Sequence, residues 1–192
     1  SWAIDTTRSS PAGGAAWHSG RRGGEAYDPR KDGALYLPWI YTPGPGVRLS
    51  FDEWHDLEQA SPTGAWDGAR LEVFVGSAWQ AVEPTPGYSH VMFGHGMPFA
   101  SGSACWSGTS SAWTTRTLDL APYAPGPVKV RLRMCADDFV GGGGWWVDRV
   151  RAHYPDEVVV GVAPVPPVLS CGTPWPLPSR GDLRVPLSLP RG

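Results

Sequence analysis

Carboxylates are the side chains of this sequence best suited to a specific chemical task. Alternation with Leu49 and Phe51 places Asp52, Asp56 and Glu58 on the opposite side of one predicted strand. Four more carboxylates fall at predicted loop or strand-end positions: Asp67, Asp137, Asp138 and Asp148. Ca²⁺ takes about six to eight oxygen ligands, so strand-end carboxylates suit it. We predict a structural Ca²⁺ held by Glu58, Asp67 and Asp148. Because no Asp-x-Asp-x-Asp loop is present, the alternative is that these groups are simply solvated.

Tryptophan is the second candidate for ligand binding, since the chain has 11 of them. An exposed indole presents a flat apolar face on which a sugar ring can stack, while nearby polar groups fix its orientation. The candidates are Trp54, Trp66, Trp106 and Trp146. The alternative for each is a ring that packs in the core or pins a loop.

The three cysteines are too far apart for the Cys-x-x-Cys pattern of a structural zinc site. We predict a disulfide between Cys105, in a long loop, and Cys135, on the outward face of a strand, with Cys171 outside it. The alternative is three buried thiols, because a free cysteine is often a small core residue.

Catalytic motifs are missing from the sequence. It has no His-Glu-x-x-His, Gly-x-Ser-x-Gly or Walker pattern. The glycine run 141–144 precedes a strand and predicts a flexible corner, and His90 and His95 make only a weak metal pair because no third ligand lies nearby. We therefore predict that the domain is not an enzyme.

The elements that would position these residues are strands. The 25 Gly and 21 Pro interrupt every stretch long enough for a helix. Apolar alternation or strand composition marks eight segments: 34–42, 47–58, 70–75, 79–82, 89–93, 113–120, 128–135 and 145–154. Residues 1–33 are predicted to form long loops pinned by aromatic rings. This pattern predicts an all-β fold, a two-sheet antiparallel jelly-roll sandwich.

Composition divides the chain and excludes several classes of partner. Nine of the 21 prolines lie between Pro155 and Pro190, so we predict a sandwich over 1–154 and a Pro-rich linker or arm over 155–192 that can pack on it. A net charge of -2 argues against nucleic acid, and no apolar run is long enough for a membrane span. Since the chain starts without Met, we expect a fragment of a longer precursor.

The order of several short motifs resembles a known family. The motifs are Leu49-Ser-Phe-Asp-Glu-Trp54, Trp66-Asp-Gly68, Leu71-Glu-Val73, Trp79-Gln-Ala-Val82, Trp106-Ser-Gly-Thr-Ser110, Leu118-Asp-Leu-Ala-Pro-Tyr123, Val130-Arg-Leu-Arg133, Ala136-Asp-Asp138 and Gly144-Trp-Trp-Val-Asp148. Together they resemble the MAM-like jelly-roll domain found beside immune-inhibitor-A-type metallopeptidases of secreted bacterial proteins, over roughly residues 1–154. The sequence departs from the family in a short turn at Gly76-Ser77 and an enlarged segment from Glu83 to Trp106.

The resemblance implies a secreted or cell-surface module, often stabilised by Ca²⁺. It favours a non-catalytic accessory, adhesion or substrate-recognition domain whose partner is a protein or glycan at the cell surface, with an adjacent peptidase domain in the precursor. The alternative is a carbohydrate-binding module that uses exposed tryptophans. An autonomous hydrolase is a third hypothesis, for which the sequence offers no constellation of residues.

Overall fold

Alternating apolar residues become antiparallel strands in the computed structural model, which describes residues 2–21, 26–94, 98–155, 170–171 and 187–188. The chain divides into two compact units, Ser1–Pro155 and Asp156–Gly192. In the second unit, the described residues form one antiparallel pair, Ser170–Cys171 with Leu187–Ser188.

The described residues of the first unit form 15 strands. They are β1 (Ala3–Asp5), β2 (Ala16–His18), β3 (Asp32–Tyr36), β4 (Ile40–Thr42), β5 (Arg48–Leu57), β6 (Gly64–Ala65), β7 (Gly68–Val75), β8 (Ala78–Val82), β9 (His90–Met92), β10 (Ala104–Cys105), β11 (Gly108–Thr109), β12 (Thr114–Asp119), β13 (Gly126–Val128), β14 (Val130–Cys135) and β15 (Gly144–His153). Among the described residues the only helical element is a 3₁₀ turn, Ala121–Tyr123, and no helix is long and apolar enough to span a membrane.

Two antiparallel sheets pack against each other. The six-stranded sheet has the order β1-β2-β15-β5-β11, with β12 also paired to β5, and the four-stranded sheet has the order β3-β14-β7-β8. Smaller sheets, β10-β9-β6 and β13-β4, lie outside these two. The prediction of an all-β sandwich is confirmed.

The core forms where the inward faces of the two sheets meet. Its central side chains come from alternate positions of four strands: Leu49, Phe51, Leu71, Val73, Val130, Leu132, Trp145 and Val147. Each fully buried aliphatic or aromatic side chain contributes about 1.5–3 kcal/mol relative to an exposed one. The period-two pattern seen in the sequence therefore sets which side of each strand faces the other sheet.

The strand predictions need correction at three places. The N-terminal segment forms β1 and β2, which extend the six-stranded sheet, instead of loops alone. The predicted strand 34–42 is two strands, β3 and β4, separated at Leu37–Trp39, because Pro38 cannot donate to a ladder. The predicted strand 128–135 likewise divides after Val128.

The glycine run is a close-packed crossing instead of the flexible corner predicted. A Cβ added at Gly141 would lie 2.3 Å from the Tyr27 carbonyl oxygen, and one added at Gly142 would lie 2.4 Å from the Asp56 oxygen. Gly144 has a φ of +117°, a conformation that favours glycine. Backbone contact with neighbouring segments therefore requires these glycines.

The enlarged segment 83–106 folds back over one end of the four-stranded sheet. Met92, Phe99 and Cys105 pack there in a buried cluster with Ala65 and Cys135. Cys135 does lie on the outer side of its strand, as predicted, but this insertion covers it completely. The other end of the same sheet face stays open to solvent.

Candidate functional site

Three carboxylates meet where strands of the two sheets end. Glu58 follows β5, Asp67 precedes β7 and Asp137 comes after β14, and one oxygen from each lies within 4.8 Å of the others. Asp67 accepts a hydrogen bond from the Asp137 backbone N–H at 2.7 Å and another from the Tyr27 hydroxyl. Its own N–H donates to the Glu58 carbonyl oxygen at 3.0 Å. These contacts fix the three groups relative to one another, and we call them the acidic cluster.

The acidic cluster concentrates negative charge in a partly dry place. The pKa of Asp67 is raised to about 7, mainly by burial and also by the charges of Asp137 and Glu58, which together outweigh the hydrogen bonds from Tyr27 and Asp137. Burial and Asp137 also raise the pKa of Glu58. The Glu58 Oε2 atom is buried and has no hydrogen-bond partner among the described residues. Hard oxygen donors that repel one another in this way fit a divalent cation such as Ca²⁺.

The structure brings together two of the three residues predicted to hold the ion, and the third lies elsewhere. Glu58 and Asp67 do come together, but Asp148 lies inside β15, paired with Asp52 of β5. Its carboxylate accepts the Arg149 N–H at 2.7 Å. A residue in mid-strand cannot reach the strand ends, whereas Asp137, directly after a strand, can.

Three of the four tryptophans predicted to bind sugar are buried. Trp106 is 0% exposed, Trp146 3% and Trp54 8%. Their rings pack against neighbouring aromatic side chains, including His18 stacked on Trp146, so the structure leaves them no free face for a sugar. Only Trp66 keeps substantial exposure, at 39%.

Exposed rings occur instead on the outside of the four-stranded sheet. Trp39 is 61% exposed, Tyr36 59% and Phe74 37%. The half-buried Trp79 ring lies between two of them, 5.7 Å from Tyr36 and 5.3 Å from Phe74 between centroids. The cross-strand pair Phe74 and Trp79 places these two rings side by side.

Two cations are interleaved with these rings. The Arg131 guanidinium lies over Trp79, 4.3 Å from its centroid, and the Lys129 Nζ lies 5.0 Å from the centroid of Trp39 and 5.8 Å from that of Phe74. We call the surface formed by Tyr36, Trp39, Phe74, Trp79, Lys129 and Arg131 the aromatic face. Sequence analysis missed it because the rings come from three separate segments that only strand pairing brings together.

A polar pocket of about 340 Å³ lies at the edge of the six-stranded sheet. His55 and Ser110 line it, and Glu53 lies next to His55. His55 Nδ1 lies 2.8 Å from Glu53 Oε2 and 3.1 Å from Ser110 Oγ, while Nε2 lies 3.1 Å from the Ser107 carbonyl oxygen. An activating base must offer the serine a free nitrogen, with the carboxylate on the other nitrogen. Here the carboxylate and the hydroxyl share Nδ1, so this arrangement does not build a nucleophile.

The predicted disulfide is not formed, because Cys105 and Cys135 are both free and buried thiols. Burial raises the pKa of each thiol to about 12, which disfavours the thiolate that disulfide exchange requires. The two residues do share one cluster, as the crossing loop suggested, but they contribute to it as small apolar side chains. The side chain of Cys171 and the whole of His95 lie outside the described residues.

Comparison with known proteins identifies no relative: no family model matches this chain, and no curated protein matches it. The resemblance to MAM-like domains therefore remains a prediction from the ordered motifs.

Proposed function

We propose that this chain is a non-catalytic recognition module of a secreted or cell-surface bacterial protein, and that it binds carbohydrate at the aromatic face. The observation that supports this proposal is the row of exposed rings on the four-stranded sheet. Tyr36, Trp39 and Phe74 each leave more than a third of their surface in solvent. In the precursor the module would serve as an accessory or adhesion domain beside a catalytic domain such as a peptidase.

Sugar rings have apolar faces that stack on aromatic side chains, while their hydroxyls need polar partners at the rim. The aromatic face offers both, because the Tyr36 hydroxyl accepts a hydrogen bond from Arg131 at 3.2 Å and both groups lie among the rings. Tyr36, Phe74 and Trp79 lie on strands, which keep these rings in fixed positions. Little conformational entropy is therefore lost when a ligand docks on them.

Two shallow grooves extend this surface. Trp39 lines a mainly apolar groove of about 210 Å³ with Leu37 and Tyr154. Phe74 lines another of about 260 Å³ with Tyr123. A chain of several sugar units therefore fits the proposal better than a single small ring.

The experiment is affinity electrophoresis or calorimetry of the protein with a panel of soluble polysaccharides. Trp39→Ala and Trp79→Ala should each weaken binding about tenfold, the loss of roughly one stacking contact. Trp17→Ala is the matched control, since Trp17 is 41% exposed but lies on β2 of the other sheet. Absence of binding to every polysaccharide, or equal losses in the control, would reject the proposal.

We further propose that Ca²⁺ binds the acidic cluster and stabilises the sandwich. A cation that binds only the folded state stabilises it by mass action. Glu58, Asp67 and Asp137 would supply carboxylate oxygens, and the Glu58 Oε2 atom has no other partner among the described residues. A bound ion there would connect the ends of β5, β7 and β14.

Thermal unfolding with added Ca²⁺ and with EDTA tests this site. The melting temperature should rise with Ca²⁺, and Asp137→Asn should abolish the response. Asp148→Asn is the control, since Asp148 lies away from the cluster and its loss should leave the response intact. A melting temperature that ignores both Ca²⁺ and EDTA would remove the ion from the proposal.

A further inference from the structure

The outer side of the four-stranded sheet carries a net positive charge, whereas the whole chain is negatively charged. Two carboxylates, Asp32 and Glu72, face four cations there: Arg70, Lys129, Arg131 and Arg133. The full chain carries a net charge of -2. Lys129 and Arg131 lie among the exposed aromatic rings, whereas Arg70 and Arg133 lie over Phe99 at the covered end of the sheet.

One buried carboxylate holds the arginines in place. Glu72 is 1% exposed and pairs with Arg70 and Arg131, each at 2.5 Å, and with Arg133 at 3.6 Å. Burial alone would raise the pKa of Glu72, but hydrogen bonds from Arg70 and Arg131 lower it, so it stays ionised. Arg133 also pairs with Asp32 at 2.8 Å, so two negative charges face four cations and leave an excess of positive charge on this side of the sheet.

Lys129 is the cation that this network does not use. Among the described residues its ammonium group pairs with no carboxylate. It lies instead beside the Trp39 and Phe74 rings. An ammonium group between two exposed rings can reach an anionic substituent on a sugar that stacks beside it.

We propose that the ligand of the aromatic face is an acidic polysaccharide, whose sugar rings stack on Trp39, Phe74 and Trp79 while its carboxylate or sulfate groups pair with Lys129, next to the positive charge of Arg131. This inference rests on the proposed carbohydrate-binding function and adds the class of ligand. Carboxylated and sulfated polymers share the required chemistry, a pyranose chain with regularly spaced anions. Arg131 is already paired with Glu72 and Tyr36, so it contributes positive charge beside the site, and Lys129 supplies the free donor for either group.

The test compares polymers that have the same sugar backbone and differ in their charged groups. Polygalacturonate and its carboxyl-reduced product carry the same sugar ring with and without charge, and chondroitin sulfate and desulfated chondroitin separate sulfate from carboxylate. We expect the acidic form to bind at least about fivefold more tightly, with affinity falling as salt is raised. Lys129→Met should weaken binding of the acidic form about fivefold and leave the reduced form unchanged.

Arg48→Met is the matched control, because Arg48 is an exposed cation on β5 of the other sheet. Equal binding of acidic and reduced polymers with ring dependence intact would overturn the acidic-ligand inference and leave the proposed function standing. No binding to either form would overturn both. Polyaspartate could also bind as tightly as the acidic polymers, with no loss of affinity in Trp39→Ala. That result would show attraction to bulk charge only and would also overturn both.

Discussion

The outer surfaces of the two sheets carry the same kinds of side chains but use them differently. On the six-stranded sheet Trp54 and Trp146 pack edge to face at 5.3 Å, and the Arg8 guanidinium lies 3.2 Å from the Trp54 centroid. On the four-stranded sheet Trp79 packs against Phe74 at 5.3 Å, with Arg131 above it at 4.3 Å. Trp54 and Trp146 are buried, whereas Phe74 is 37% exposed and Trp79 is half-buried.

The difference lies in what covers each surface. The N-terminal segment adds β1 and β2 to the six-stranded sheet, and its His18 stacks on Trp146 at 4.0 Å while Arg8 covers Trp54. The insertion 83–106 covers only one end of the four-stranded sheet. Tryptophan and arginine thus form a packing unit where another segment covers them, and a partly exposed surface, the proposed binding site, where none does.

The largest expected effect of breaking this contrast is on stability. Trp146→Ala should lower the free energy of unfolding by about 3–5 kcal/mol, because it leaves a cavity under the N-terminal segment. Trp39→Ala should change it by less than about 1 kcal/mol, since the ring is mostly exposed. Denaturant unfolding of both variants measures the difference, and similar losses would contradict the distinction between covered and open rings.

Burial also changes the titration of one carboxylate, Asp67. Asp67 is fully buried, and its pKa of about 7 exceeds the usual value of 3.8. The folded state therefore holds its proton more tightly than the unfolded state, so this group contributes stability below about pH 4 that is lost as pH rises towards 7.

Without Ca²⁺, Asp67→Asn should gain stability relative to the native chain, by about 2–4 kcal/mol, as pH rises from 4 to 7. The comparison with this variant removes the effects of other groups, such as His18, whose pKa burial lowers. Chemical denaturation at several pH values in EDTA provides the measurement. A constant difference between the two proteins would show that the proton on Asp67 is not linked to folding.

Removing the cation from each surface should have a smaller effect. Arg8→Ala should cost about 1–2 kcal/mol, because it uncovers Trp54 and removes a stacked guanidinium. Lys129→Ala should cost no more than about 0.5 kcal/mol, as expected for an exposed position. The same unfolding assay checks the pair; if Lys129→Ala were the more damaging change, the open surface would be part of the fold's own packing.

The two cysteines at the covered end of the four-stranded sheet should be unreactive in the folded protein. Cys105 and Cys135 are buried with their thiol pKa near 12, so neither should react with a thiol reagent at neutral pH in the folded protein. Both should react after unfolding in denaturant. A bridge between them in non-reducing peptide mapping would restore the disulfide that the sequence suggested.

Much of the sandwich could be predicted because its information is local. Alternation at Leu49 and Phe51, and again at Val130 and Leu132, shows which side of a strand is buried. This pattern is sufficient to predict the strand and its inward face. The short strands β1 and β2 escaped prediction because three residues are too few to show a period.

The candidate sites could be predicted only in part. Glu58 was predicted at the end of a strand and Asp67 in a loop, and the structure brings them together, but replacing Asp148 by Asp137 needed the position of β15 in the sheet. The sequence left open whether Trp54, Trp106 and Trp146 are exposed or buried, since an indole has the same composition whether or not another segment covers it.

By itself, the sequence determined that the chain is all-β, which strands alternate, and which kinds of side chain were available for binding. Those properties follow from residue type and period. Only the tertiary structure decided that Trp54 and Trp146 are covered while Trp39 and Tyr36 are open, that Asp137 completes the acidic cluster, and that Cys105 and Cys135 pack as thiols. Each of these depends on which distant segment lies over which face, because burial and proximity are properties of the packed chain.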